Sequence, residues 1–330
     1  MLNKQEEYLC LSSMLRAREP RLLNSDRCER MLDASGFEEA AKMLVDCGYE
    51  DMSSMTALQI EEALTAHRTA IFRELDNIAP DRELVDLFRL KYDYHNAKVI
   101  LKAEAMNMDG DALLSDSGRI SGSDLKLLYN EEKYSAMPGA LGEAMDSARS
   151  ILARTANPQL ADFALDSAYF GELRTMAGES GNEYLQGYAA ILIDCANLKS
   201  AVRTIRMGKD ADFMKTALIS GGSIDVDRIL ASPDKESLAA LYAHTKLEDA
   251  ALAGAAALDG AGLTGFELAC DNAVNAYLRE AKLVSYGPEA VVAYVAAVEN
   301  EITAVRMILT SRLADVKPEK IRERLRDLYV

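Results

Sequence analysis

At 330 residues and 49% hydrophobic, the chain is long enough for two or three domains with a full core, and too apolar to be disordered. Its net charge of −16 excludes nucleic acid as a general partner and disfavours an anionic lipid surface, while leaving open a protein partner at such a surface. The lack of any run of 18 apolar residues excludes a transmembrane helix, and the opening Met1-Leu-Asn-Lys-Gln-Glu-Glu carries no basic-then-apolar signal, so a cytoplasmic setting is expected.

Aromatic residues make up 6% and Trp is absent, against abundant Ala and Leu, which favours helix over strand. No stretch shows convincing strand alternation, so the expected fold class is all-α. The first long signal is 84–108. There Leu84, Leu87, Leu90, Tyr94, Ala97, Leu101, Ala105 and Met108 form one stripe at steps of three and four. Phe88, Tyr92, Val99, Ala103 and Met106 add a second apolar side, which predicts a helix sandwiched within its unit. Stretches 184–207 and 289–310 read the same way. Pro80, Pro158, Pro233, Pro288 and Pro318 each stand where a helix would begin, with Asn157 and Ser232 as candidate N-caps. Gly, Ser and Asp gather in 107–122 and 219–223, the loops expected to be most flexible. Ala250–Gly262, nearly all Ala and Gly, fits either a closely packed helix pair or a surface turn. A last helix is predicted over 318–330, with Ile321, Leu325 and Leu328 on its buried side.

One pattern recurs. Lys91-Tyr-Asp-Tyr-His-Asn96-Ala-Lys-Val-Ile-Leu-Lys102, Ile193-Asp-Cys-Ala-Asn197-Leu-Lys-Ser-Ala-Val-Arg203 and Val298-Glu-Asn300-Glu-Ile-Thr-Ala-Val-Arg306 each place a Lys or Arg six residues after an Asn. The Asn residues lie 197 − 96 = 101 and 300 − 197 = 103 positions apart. Ile120-Ser-Gly and Ile219-Ser-Gly, 99 apart, extend the repeat into the following loop. Three related helical units follow, at 1–111, 112–211 and 212–330, the last with a C-terminal helix.

The motif helices carry a basic row of Lys98 and Lys102, Lys199 and Arg203, and Arg306. One reading is salt bridging to neighbouring acids. The sharper reading is that three equivalent helices surround an opening and aim these five cations into it, to steer an acidic partner. Asn96, Asn197 and Asn300 read as structural, since a buried Asn ties a helix to the backbone of its neighbour. Catalytic, cofactor-binding and metal residues are not expected. His67, His95 and His244 lack ligand spacing, and Asp93 and Glu104 form no recognisable acid–base pair. Gly221-Gly-Ser-Ile-Asp lacks the Lys-Ser/Thr of a phosphate loop. The five cysteines, at 10, 28, 47, 195 and 270, are odd in number and nowhere spaced Cys-x-x-Cys, which favours buried free thiols.

Four passages resemble the central-stalk socket protein of rotary V-type and A-type ATPases, known as the C subunit in prokaryotes and the d subunit in eukaryotes. They are Arg16-Ala-Arg-Glu-Pro-Arg-Leu-Leu23, Leu87 to Ala103, Ile193 to Lys199, and Glu299 to Leu309 with Ile321 to Val330. Met14 departs from the family, which often has an additional Arg there. The resemblance implies three similar bundles about a pseudo-threefold axis with a funnel-shaped opening. It also implies a cytoplasmic seat on the proteolipid ring and reception of the central shaft (D/F-type subunits). The membrane stator is a further candidate contact. Shaft rotation would be coupled to H⁺ or Na⁺ movement, with no chemistry in this chain and no cofactor. The competing readings are a generic α-helical repeat scaffold or adaptor, whose usual period of 34 to 47 residues fits poorly, and an all-helical enzyme with an unrecognised pocket.

Overall fold

The computed structural model describes residues 5–330. In chain order its α-helices are α1 (Leu9–Arg18), α2 (Ser25–Asp33), α3 (Phe37–Lys42), α4 (Ala57–Ile78), α5 (Glu83–Met106), α6 (Gly122–Asn130), α7 (Leu141–Thr155) and α8 (Pro158–Glu179). They continue with α9 (Glu183–Arg206), α10 (Ala211–Ala217), α11 (Val226–Leu230), α12 (Lys235–Tyr242), α13 (Glu248–Leu258), α14 (Leu263–Arg279), α15 (Pro288–Leu313) and α16 (Pro318–Arg322). No strand occurs among the described residues, so the fold class is all-α. The chain divides into two compact units, Met1–Val85 with Thr264–Val330, and Asp86–Leu263.

Helix starts follow local chemistry. Pro158, Pro288 and Pro318 occupy first helical positions, and the Asn157 side chain accepts from Gln159 N at 3.0 Å. The proline at 233 works differently. Asp234, one residue later, is the N-cap of α12 and accepts from Ser237 N at 2.8 Å. Ser232 is not a cap; its hydroxyl donates back to Arg228 O at 3.0 Å.

In the first unit α15 is the central post. Val and Ala cover all its faces, so every residue from Glu289 to Glu299 is buried. Helices α1, α2, α3, α4 and α16 pack against it. The charges it brings inside are paired or hydrogen-bonded. Glu299 accepts from Arg68 Nε at 2.9 Å, and Glu301 accepts from Tyr49 Oη at 2.8 Å and from Leu23 N. Burial pushes the Glu301 carboxyl up to about 7, against the pull of those two donors. A folded-state value above the unfolded one means the fold holds a proton that the unfolded chain releases between about pH 4.3 and 7. Stability from this group is therefore fully present at pH 4 and falls as pH rises through that window. Glu301→Gln should remove the slope, so that its unfolding free energy gains on wild type by on the order of 3 kcal/mol between pH 4.5 and 7.5 in urea titrations.

The C-terminal segment departs from the predicted helix. α16 stops at Arg322, and the residues from 325 onward are not helical. Side chains of α14 take the backbone groups that a helix would have used. Asn272 accepts from Asp327 N at 2.9 Å, Asn275 donates to Asp327 O at 2.8 Å, and Arg279 Nε donates to Leu328 O at 3.1 Å. Ile321 and Leu328 are buried as expected, whereas Leu325 is only half-buried. Arg16 joins the two ends of the chain. Its guanidinium donates to Tyr329 Oη at 2.9 Å, to Glu19 at 2.6 Å, and to the carbonyls of Ala281 and Val284.

In the second unit α7 packs on α8, α8 on α9, and α9 and α12 on α13. Ala250, Ala251, Gly254 and Ala257 form the buried side of α13, where small side chains let helix backbones approach. The Ala-rich stretch is thus a packed helix to Leu258, followed by a turn. Four of the cysteines are buried free thiols, but Cys10 is exposed.

Candidate partner-contact site

The five cations of the basic row come from three helices. Lys98 and Lys102 stand on α5, Lys199 and Arg203 on α9, all in the second unit; Arg306 stands on α15 in the first. Lys98 Nζ lies 2.5 Å from Asp166 and Lys102 Nζ 2.7 Å from Asp162, both on α8. Arg306 Nε reaches both oxygens of Glu61 on α4, at 2.7 and 2.8 Å. Lys199 is half-buried and Arg203 exposed. Lys98, Lys102 and Arg306 therefore sit beside carboxylates from neighbouring helices. Pairs this accessible contribute about 0.2–1 kcal/mol each to stability, so the residues are replaceable without unfolding the chain.

The Asn residues make a repeated clamp. Asn96 donates to Ser115 O at 2.7 Å and accepts from Ser115 N at 2.8 Å. Asn197 does the same with Ile219, at 2.8 Å in both directions. One amide side chain thus satisfies both backbone groups of one loop residue, as a neighbouring strand would. A second pin stands one turn earlier on each helix. Asp93 accepts from Arg119 N at 2.9 Å, and Asp194 accepts from Ser223 N at 3.0 Å and Ile224 N at 3.3 Å. The approach is close enough to require glycine. A Cβ on Gly118 would stand 2.2 Å from Asp93 Oδ1, and one on Gly222 2.1 Å from Asp194 Oδ1.

These contacts fix the loop register. Ser115-Asp-Ser-Gly118-Arg119-Ile-Ser121 matches Ile219-Ser-Gly-Gly222-Ser223-Ile-Asp225, an offset of 222 − 118 = 104, not the 99 suggested by the shared Ile-Ser-Gly. Ser121 and Asp225 are then equivalent N-caps, of α6 and α11. The loops expected to be most flexible have their backbones pinned by buried side chains. The third copy differs. Position 297, three before Asn300, is Ala, and Asn300 donates instead to the Asn275 side chain, which holds Asp327 O.

Around the first clamp lies a charge cluster that the sequence reading missed. Arg119 Nε donates to Asp93 at 2.6 Å and its Nη1 to Glu172 at 2.6 Å, while Tyr94 Oη donates to Glu172 at 2.9 Å. Burial raises the Asp93 carboxyl above its usual range despite the guanidinium, and burial beside Glu172 raises the Tyr94 phenol. The available signal was the Asp three before Asn in two of three copies.

The remaining candidates do not converge on a reactive centre. His67 stacks on Tyr49 with ring centroids 4.1 Å apart. His95 is exposed and its Nε2 lies 3.0 Å from Leu113 O. Among the described residues no group of three or more His, Cys, Asp or Glu is placed to hold a metal ion, and no helix is long and apolar enough to cross a membrane.

Residues 11–324 match the model of the ATP synthase (C/AC39) subunit family. The chain is 24% identical to the C subunit of the V-type sodium ATPase of Enterococcus hirae, over 98% of this chain and 99% of the relative. It is 23% identical to the C subunit of the A-type ATP synthase of Methanocaldococcus jannaschii, over 96% and 86%, and 25% identical to that of Haloferax volcanii, over 94% and 95%. The chain belongs to the ATP synthase (C/AC39) subunit family, whose members are structural rather than catalytic parts of V- and A-type ATPases.

Proposed function

We propose that this chain is the central-stalk socket of a rotary V/A-type ATPase. It receives the end of the central shaft, seats on the proteolipid ring at the cytoplasmic face, and so couples shaft rotation to H⁺ or Na⁺ transport. The observation that carries this reading is the family match across 11–324, with relatives matched over nearly their whole length. This reading assigns the basic row to the surface that meets the shaft. The mechanism is mechanical. Torque transfer needs a body that does not deform, and the backbone clamps at Asn96 and Asn197 stiffen the joints between helices. Family membership leaves the generic scaffold reading without support.

Lys102 and Arg203 are the exposed members of the row. Lys102→Glu with Arg203→Glu is expected to weaken retention of the D/F-type shaft subunits at least tenfold in pull-downs, while the isolated chain stays folded with its stability lowered by only about 1 kcal/mol. Unchanged retention removes these side chains from the shaft-facing surface. Co-purification from native membranes without proteolipid or shaft subunits overturns the socket reading as a whole.

A further inference from the structure

The apolar stripe of α5 runs on past its core. Leu101 is buried, but Met106 is 64% and Met108 62% exposed. Two more large apolar side chains on the adjoining segments are equally bare: Leu113 at 66% and Leu127 on α6 at 54%. Ala105 and Met108, predicted to belong to the buried stripe, are exposed. Between these segments opens a cavity of about 280 Å³, walled by Val99, Ala103, Met108, Leu114 and Tyr129. It is near the lower end of the range of small-molecule pockets (about 300–1,000 Å³) and suits an inserted side chain. Met108 in the wall can adapt to what enters, as methionines do in grooves that receive amphipathic helices.

Charge selects the occupant. Glu104 and Asp111 line the cavity, and Asp109, Glu131 and Glu132 lie on the same segments. The nearby cations are already engaged: Lys126 on Asp111, Lys133 on Glu131 at 2.8 Å, and Arg149 on Glu132 at 2.9 Å and on Glu104. Lys102 is turned to Asp162. Two carboxylates on the cavity wall and three on the segments that carry it thus outnumber the three paired cations. A second copy of this chain would set acid against acid, and an anionic membrane would be repelled.

We infer that the cavity between the end of α5 and α6 is a docking site for an amphipathic helix of a protein partner, anchored by a Leu-like side chain and flanked by Lys or Arg. Lys102 of the basic row stands on the same stretch of α5, but the inference does not depend on the socket reading. The test uses the full chain and a fluorescent 15-residue peptide of Leu and Lys, with Leu at i, i+3, i+4 and i+7. Two controls accompany it: a permuted peptide of the same composition, and one with Glu for every Lys. Anisotropy should show the amphipathic Lys peptide bound at least tenfold more tightly than either control. Met108→Glu and, separately, Leu127→Glu should each weaken it at least tenfold. Both positions are exposed, so the far-UV spectrum and urea midpoint of each variant should match wild type. Equal binding of either control, or wild-type affinity in both variants, overturns the inference. So does a sedimenting wild-type dimer that Met108→Glu converts to monomer, which would make a second copy the occupant. Flotation on phosphatidylglycerol vesicles that Met108→Glu abolishes would make the occupant a membrane and equally defeat it.

Discussion

Arg119→Met is expected to destabilise the chain by about 3–5 kcal/mol, read as a lowered urea midpoint. The side chain bridges two carboxylates that have little access to water: the Asp93 residue is fully buried, and the Glu172 side chain is 8% exposed. Removing the guanidinium leaves both carboxylates inside the protein with only neutral donors, the backbone N of residues 119 and 120 for one and Tyr94 Oη for the other. The charged forms then carry desolvation that nothing offsets. Part of the loss is recoverable by protonation. In the variant the folded Asp93 carboxyl titrates further above its unfolded value, so stability falls as pH rises, and the deficit should be larger at pH 8 than at pH 5. Arg119→Lys keeps the charge but cannot reach both carboxylates with one planar fork, and should fall between the two. A pH-independent deficit below 1 kcal/mol would show that the cluster is already hydrated.

Asn197→Leu is expected to cost about 2–4 kcal/mol, because it strips both backbone groups of buried Ile219 of their partner. Asn96→Leu should cost somewhat less, since Ser115 is half-buried. Asn300→Leu should cost least of the three, because Asn300 is half-buried and holds a side chain, not a loop backbone. Equal losses at all three positions would contradict the difference described between the first two copies and the third.

The periodicity of the motif helices was readable because it reports burial: Leu84, Leu90, Tyr94 and Ala97 are buried where the three- and four-residue steps put them. The three prolines that open helices were readable because their fixed φ acts locally. What failed was non-local. The tail after Arg322 has the pattern of a helix, but its backbone groups are claimed by Asn272, Asn275 and Arg279, about fifty residues earlier. Glycine and serine in the two loops suggested mobility; Gly118 and Gly222 are there because Asp93 and Asp194 come so close. Shared Ile-Ser-Gly letters gave the wrong loop register, because the register is set by which residue meets the Asn, and spacing between helix and loop is free to vary. The partners of the basic row, Asp162, Asp166 and Glu61, belong to other helices, and periodicity does not say which helices meet. Arg119 and Glu172 are 53 residues apart and share no motif.

The post of the first unit is made almost last. A ribosome delivers α1 to α4 long before α15, with the whole of Asp86–Leu263 in between. Until then α1, α2, α3 and α4 lack the helix they all pack against, and Leu15, Leu23 and Met31, all shut from water in the finished protein, belong to that unfinished unit. The middle of the chain draws its contacts from one continuous stretch and is free to fold while synthesis continues; the N-terminal quarter must wait for the tail. Chaperone protection during translation therefore matters most for those first eighty-five residues.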